Sequence, residues 1–178
     1  GLLLPQIRMI AEQAGDIILP YFSSHVSYQL KGDGSPVSQA DYAADLFIRT
    51  QLQHITPTIP ILTEEIADQI DLQTRLGWSR LWLVDPLDGT RQFIRGNDGF
   101  SVNIALVDHN HPILGVVYSP VSKQGYGAFK GGGAWTWQEG SDLLAIHITD
   151  VPDCIRVMTG FSDVPRGERT QEFLSQLG

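Results

Sequence analysis

Four acidic residues directly follow two short apolar segments of the sequence, and their carboxylates could act together. Asp85 and Asp88 follow one segment, and Glu64 and Glu65 follow the other. Carboxylates that are crowded at neighbouring strand ends repel each other unless a cation neutralises them. Hard oxygen ligands of this kind suit Mg²⁺, which keeps several waters and pairs with substrate phosphates. The pattern therefore predicts a Mg²⁺ site for a phosphorylated ligand.

Gly89 and Thr90 come directly after the second acidic pair, where Arg91-Gln-Phe-Ile reads as the start of a helix. A helix that begins there presents its first N–H groups and the positive end of its dipole to an anion. The carboxylates and this helix end would lie close together. We therefore expect a phosphate to be held between metal ions and backbone amides.

Other interpretations of these residues stay open at this stage. Asp88 or Thr90 could simply cap a turn, and Glu64 with Glu65 could open an exposed helix, where acids are common. Asp41 near the start of a predicted helix has the same plain interpretation. The cations Lys31 and Arg95 could contact substrate phosphates or could only face solvent.

The elements that must position these residues follow from the spacing of apolar side chains. Gaps of three and four residues predict a helix over residues 3–22 and a second over 40–55, with turn-forming residues 31–36 between them. After Pro60, short β-rich runs alternate with tight turns, and such short connections favour antiparallel pairing. The predicted fold class is α+β, with two N-terminal helices packed on a mainly antiparallel β-sheet.

The composition excludes some classes of function. The formal net charge is -8 and the pI is near 4.9, so the chain has no basic footprint for a nucleic-acid polymer. The single cysteine, Cys154, cannot form an intramolecular disulfide, which indicates a reducing compartment. No apolar run reaches the length of a transmembrane segment. We expect a cytoplasmic protein, with a peripheral position at the inner membrane left open.

Three motifs resemble those of the lithium-sensitive, Mg²⁺-dependent inositol monophosphatase superfamily. The first is Asp85-Pro-Leu-Asp-Gly-Thr90 after Trp-Leu-Val, and the others are the loop-to-helix segment 34–41 and Thr63-Glu-Glu65. Residues 93–120 are similar to the branch of that family that acts on adenosine 3′,5′-bisphosphate. The resemblance extends from about residue 5 to the end of the chain.

The resemblance implies a role for each matched residue. Four groups would ligate Mg²⁺: Glu64, Asp85, Asp88 and the carbonyl of Leu87. Asp41 would pair with the Thr90 hydroxyl to orient the attacking water, and Glu65 would lie near another water. The amides of Gly89 and Thr90 would hold the phosphate.

The implied reaction is hydrolysis of the 3′-phosphate of adenosine 3′,5′-bisphosphate to AMP and phosphate. The alternatives are a phosphatase for inositol monophosphate or a sugar bisphosphate, and a non-catalytic module that binds metal or phosphate. The implied partner is a small phosphorylated nucleotide, and a homodimer is left open.

The sequence departs from the family pattern in one respect. Family members continue into a second half with a Trp-Asp-x-Ala-Ala motif, and no tryptophan of this chain is followed by aspartate. We therefore expect an N-terminal phosphatase domain over residues 1–145 and the opening segment of a truncated C-terminal domain over residues 146–178.

Overall fold

A computed structural model of the chain describes residues 3–22, 28–30 and 36–148. The helices are α1 (Leu3–Phe22), α2 (Gln39–Ile55), α3 (Leu72–Leu76) and α4 (Thr90–Ile94), with a 3-10 helix over Glu64–Gln69. The strands are β1 (Tyr28–Leu30), β2 (Pro36–Ser38), β3 (Ile61–Thr63), β4 (Arg80–Asp88), β5 (Ser101–Asp108), β6 (His111–Ser119), β7 (Gln124–Phe129), β8 (Gly133–Gln138) and β9 (Leu144–Ile146).

Seven strands form one sheet in the sequential order β3 to β9, and β1 with β2 forms a separate antiparallel pair. Strands β3 and β4 run parallel, joined by the 3-10 helix and α3. All other neighbours in the large sheet run antiparallel. The short turns after β5, β6 and β7 fit this arrangement, because antiparallel strands need only a hairpin connection.

Helices α1 and α2 pack against each other and against the large sheet. The buried side chains of α1 follow a spacing of three and four residues, as an amphipathic helix requires: Leu4, Ile7, Ala11, Ala14 and Ile18. They meet the alternate buried residues of the strands, among them Val102, Ile104 and Val116. Burial of each large apolar side chain contributes roughly 1.5–3 kcal/mol. The predicted α+β fold class is confirmed.

The structure adds elements that the apolar pattern does not indicate. The turn-forming run 31–36 predicts a loop at Pro36, but this residue begins β2 and pairs with Leu30. The 3-10 helix and α3 are short and mostly exposed, so they have little periodicity to detect. None of the helices in the described ranges combines the length and apolar character needed to cross a bilayer.

The described residues up to His147 belong to one compact unit. The predicted boundary between residues 145 and 146 stays a prediction, because nearly all of the second predicted segment lies outside the described residues.

Candidate active site

The end of β4 contains a β-bulge that changes which way its acidic side chains point. Asp85 pairs with Asn103 of β5, whereas Asp88 pairs with Ser101, so β4 has one more residue than β5 in this stretch. In a regular strand, residues three apart point to opposite faces of the sheet. Because the bulge breaks this alternation, Asp85 and Asp88 line the same pocket.

That pocket has a volume of about 360 Å³. It is lined by Glu64, Asp85, Leu87, Asp88, Gly89, Thr90, Arg91 and Gln92. The acidic end of β4, the first residue of the 3-10 helix and the start of α4 therefore meet at one place. Sequence reasoning predicted this convergence for every lining residue except Arg91 and Gln92.

Asp85 is the most perturbed acid in this pocket. Burial raises its pKa to about 7, and the nearby negative charges of Glu64 and Asp88 add to the effect. The Leu87 N–H donates to Asp85 Oδ1 at 3.2 Å and acts in the opposite direction. A hydrogen bond with Glu64 raises the pKa further, and two carboxyl groups can make such a bond only if one is protonated.

A proton on Asp85 therefore neutralises the negative charge of the carboxylate, as a bound cation would. Glu64, Asp85, Asp88 and the Leu87 carbonyl offer hard oxygen donors, and this donor set fits Mg²⁺ in kind. Within the part of the chain that the structure describes, no three or more Asp, Glu, His or Cys side chains are grouped closely enough to form a metal site. Metal ligation by these residues stays a prediction.

Asp41 occupies the third helical position of α2 and is only 2% exposed. Its Oδ2 accepts hydrogen bonds from the Ser38 N–H at 2.8 Å and from the Ser38 hydroxyl at 2.6 Å. The bond from the Ser38 N–H and a bond from the Asp41 N–H to the Ser38 side chain together form a capping box. Its Oδ1 accepts from the Thr90 hydroxyl at 3.1 Å. Burial raises the pKa of Asp41, and these hydrogen bonds limit the rise. The predicted pairing of Asp41 with Thr90 is present in the structure.

Gly89 connects β4 to α4 through a backbone conformation with φ +94°. A Cβ atom at this position would lie 2.7 Å from the Gly99 carbonyl oxygen. Both facts require glycine here, because L-residues avoid positive φ and the backbone at Gly99 leaves no room. The carbonyl of Gly89 accepts from the N–H groups of Gln92 and Phe93, which starts the helix.

The remaining predicted residues lie outside the pocket or outside the described chain. Glu65 follows Glu64 in the 3-10 helix, and Arg95 is an exposed residue at the C-terminal end of α4; neither lines the pocket. Lys31 lies outside the described residues. The roles of these three residues stay predictions.

Sequence reasoning missed Arg91 and Asn103. Arg91 lines the pocket and directly follows the acidic motif, so its position in the sequence could have identified it as a candidate. Asn103 donates from Nδ2 to Asp88 Oδ2 at 3.0 Å, and its own Oδ1 accepts from the Ser101 hydroxyl at 3.0 Å. This contact depends on the register of β5 against the bulged strand, which no sequence pattern indicates.

The chain was compared with families and proteins that are already known. Residues 3–176 match the model of the inositol monophosphatase family. The chain is 41% identical to the 3′(2′),5′-bisphosphate nucleotidase CysQ of Escherichia coli O6:H1, over 99% of this chain and 70% of that protein. The CysQ of Aggregatibacter actinomycetemcomitans is 38% identical over 89% of this chain and 59% of its own length.

Solved structures give the same result for the fold. CysQ from Bacteroides thetaiotaomicron has 31% identity and a TM-score of 0.77, over 99% of this chain and 70% of that one. An inositol monophosphatase from Zymomonas mobilis has 32% identity and a TM-score of 0.64, over 85% and 56%. The chain belongs to the inositol monophosphatase family, so the resemblance that the three motifs indicated is confirmed.

Proposed function

We propose that this protein is a Mg²⁺-dependent phosphatase that hydrolyses the 3′-phosphate of adenosine 3′,5′-bisphosphate to give AMP and phosphate. The observation that carries the proposal is the Thr90–Asp41 hydrogen bond beside a pocket that contains Glu64, Asp85 and Asp88. The choice of substrate is supported by about 40% identity to proteins named 3′(2′),5′-bisphosphate nucleotidase.

Glu64, Asp85, Asp88 and the carbonyl of Leu87 would hold the metal. When bound, Mg²⁺ polarises phosphoryl oxygens and makes a coordinated water more acidic. A cation would be favoured among these acids, because burial and the charges of Glu64 and Asp88 raise the pKa of Asp85 and make its ionised form costly without a positive charge nearby. Glu65, two residues after the buried Thr63, would lie near a further water.

Asp41 and Thr90 would orient the attacking water and receive its proton. The Thr90 hydroxyl directs its proton toward Asp41 Oδ1 and the Leu87 carbonyl, both at 3.1 Å, so its lone pairs can accept a hydrogen bond from water. Burial of Asp41 raises its pKa and makes it a stronger proton acceptor. The capping box fixes the other carboxylate oxygen, so Oδ1 stays directed at Thr90.

The amides of Gly89 and Thr90 would hold the phosphate that is cleaved. A second phosphate of the substrate needs a cation, and Arg91 is well placed for this because it lines the pocket. Lys31 and Arg95 would make further contacts with the substrate phosphates. A homodimer and a cytoplasmic location also stay predictions.

The decisive assay measures phosphate release from adenosine 3′,5′-bisphosphate with Mg²⁺, with EDTA, and with Mg²⁺ plus Li⁺. We expect turnover with Mg²⁺ that EDTA abolishes and Li⁺ lowers, measured on the protein as its gene encodes it, with E. coli CysQ as a positive control. Asp85→Asn should abolish turnover, because it removes a metal-binding charge. Arg80→Gln, which breaks only a surface ion pair with Asp108, is the matched control and should keep it.

The same assay with inositol monophosphate and a sugar bisphosphate separates the alternative substrates. Faster turnover of either compound would move the assignment to another branch of the family. Binding of Mg²⁺ and nucleotide without turnover of any of the three would instead indicate a non-catalytic binding module.

A further inference from the structure

Asn103 of β5 is connected to both acids at the end of β4. Its backbone pairs with that of Asp85, and its side-chain amide donates to Asp88 Oδ2 at 3.0 Å. The Ser101 hydroxyl donates to Asn103 Oδ1 at 3.0 Å, so the amide is held from its other end. Ser101 and Asn103 are two residues apart on one strand, and their side chains therefore share a face of the sheet.

This chain of hydrogen bonds fixes the orientation of one carboxylate. The hydrogen bond to Oδ2 restricts the rotation of the Asp88 carboxylate, and Asp88 lines the pocket. An ionised carboxylate can only accept, so Asp88 requires the Nδ2 end of the amide, and the Ser101 hydroxyl then donates to Oδ1 at the other end. The amide has no charge, so it orients Asp88 without competing with a cation.

We propose that Asn103 is a positioning residue that holds Asp88 for metal binding, with Ser101 supporting it. The inference rests on the proposed function, because it assigns Asp88 a metal ligand's role. Hydrogen-bond partners of metal-ligating carboxylates typically change metal affinity or activity by about 10–100-fold when they are removed. Asn103 does not touch the metal in this account; it acts through Asp88.

A purely structural role for Asn103 predicts different results. In that case the amide only ties β5 to the bulged end of β4, and its loss lowers thermal stability without a specific effect on metal affinity.

A positioning role also predicts a change in the relative affinities for Mg²⁺ and Ca²⁺. Mg²⁺ demands near-ideal octahedral geometry, whereas Ca²⁺ accepts irregular coordination. A loosened Asp88 should therefore weaken Mg²⁺ binding more than Ca²⁺ binding.

The test is a double-mutant cycle read by metal binding. Mn²⁺ affinity is measured from the electron paramagnetic resonance signal of the free ion, and Mg²⁺ and Ca²⁺ affinities are measured by competition. The proteins are the wild type, Asn103→Leu, Asp88→Asn and the double variant. Gln138→Met is the matched control, because it also removes an exposed amide hydrogen bond between strands, that from Gln138 to Gln124 on β7.

We expect Asn103→Leu to weaken Mg²⁺ binding about 10–100-fold and Ca²⁺ binding less. In the Asp88→Asn background the same change should have an effect of no more than about 2-fold, since a residue that acts through Asp88 has nothing left to position. Gln138→Met should leave both affinities unchanged. Melting temperatures in EDTA show whether each variant is folded.

Three results would count against the inference. If the wild type binds Mg²⁺ and Asn103→Leu binds it equally well, the positioning role is wrong and the proposed function stands. If Asn103→Leu lowers Mg²⁺ affinity equally in the wild-type and Asp88→Asn backgrounds, Asn103 does not act through Asp88. If the wild type binds no divalent cation, the proposed function fails, and this inference fails with it.

Ser101→Ala keeps the inference testable if Asn103→Leu does not fold. It removes only the hydroxyl that fixes the amide, so Asn103 can turn away from Asp88. We expect a smaller loss of Mg²⁺ affinity in the same direction, which disappears in the Asp88→Asn background. An unchanged Mg²⁺ affinity in Ser101→Ala would overturn the supporting role of Ser101.

Discussion

Asp85 is a carboxyl group that the fold holds partly buried among other acids, and its charge is therefore costly without a cation. Its ordinary pKa is 3.8, and in the folded protein the value is about 7, chiefly because of burial. The folded state binds this proton more tightly than the unfolded state does. The resulting contribution to stability is complete at pH values below 3.8 and is lost as the pH rises through 7.

The first prediction follows from this linkage. In EDTA, the free energy of unfolding should fall between about pH 4 and pH 7, and Asp85→Asn should remove that part of the fall. The full shift corresponds to about 4 kcal/mol, which the partial exposure of the carboxyl reduces to roughly 1–2 kcal/mol. Urea denaturation at both pH values measures the difference. An identical pH dependence in the variant would show that Asp85 is not the responsible group.

Thr90 supports a second prediction, about turnover and not stability. Thr90→Val keeps the shape of the side chain and removes the hydroxyl that donates to Asp41. We expect kcat to fall about 10²–10⁴-fold, the usual contribution of a proton-transfer group, with Mg²⁺ affinity retained. Thr50→Val is the matched control, because the Thr50 hydroxyl also donates to a nearby backbone carbonyl, that of Leu46, but at an exposed position. A wild-type kcat in Thr90→Val would exclude this proton path.

At the scale of elements, the junction between β4 and α4 depends on one backbone conformation. Gly89→Ala would bring a Cβ to 2.7 Å from the Gly99 carbonyl in addition to the cost of positive φ. Gly96 has φ +74°, but a Cβ added there would meet nothing within 4 Å, so the same change bears only the second cost. Comparing the two substitutions therefore separates the cost of a positive φ from the cost of the steric contact with Gly99.

The third prediction compares them. Gly96→Ala should lower the free energy of unfolding by about 1–2 kcal/mol, and Gly89→Ala should lower it by roughly 1–3 kcal/mol more. Only Gly89→Ala should also reduce phosphate release, because it shifts the start of α4 against the pocket. Chemical denaturation and the phosphate assay measure both effects. Equal destabilisation by the two changes would show that the contact with Gly99 relaxes without cost.

Elements with strong periodicity and the residues of the matched motifs could be predicted from the sequence, whereas contacts outside those motifs could not. The apolar spacing of α1 and α2 indicated both helices because one face of each is buried. The acidic motif indicated Asp85 and Asp88, but not the bulge that turns them to one side. The contact of Asn103 with Asp88 requires knowledge of strand register, and the contrast between Arg91 and Arg95 requires knowledge of where the pocket ends.

At the scale of the whole molecule, Trp137 joins the first helix to the far strands of the sheet. It is 2% exposed, and its Nε1 donates to Glu12 Oε1 of α1 at 2.8 Å. The guanidinium of Arg8 lies 5.1 Å from the centre of its ring and pairs with the same Glu12 at 2.9 Å. A tryptophan on β8 thus satisfies the polar groups of α1 while it fills the core.

The fourth prediction concerns this contact. Trp137→Phe should lower the free energy of unfolding by about 1–3 kcal/mol, because it removes the N–H bond to a part-buried carboxylate and leaves a gap. The folded variant should keep wild-type kcat, since neither partner lines the candidate active site. Urea denaturation and the phosphate assay check the two parts. A large loss of kcat would show that the packing of α1 controls the site.

The capping box at the start of α2 has a consequence for anyone who redesigns this protein for stability. Glutamate is the usual acidic partner in that motif, and an optimisation that scores helix starts would replace Asp41 with it. The added methylene would lengthen the side chain and move the carboxylate relative to Thr90, which Asp41 now meets at 3.1 Å. The shorter acid satisfies the helix and Thr90 together, so a sturdier helix start at this position would be obtained at the expense of turnover.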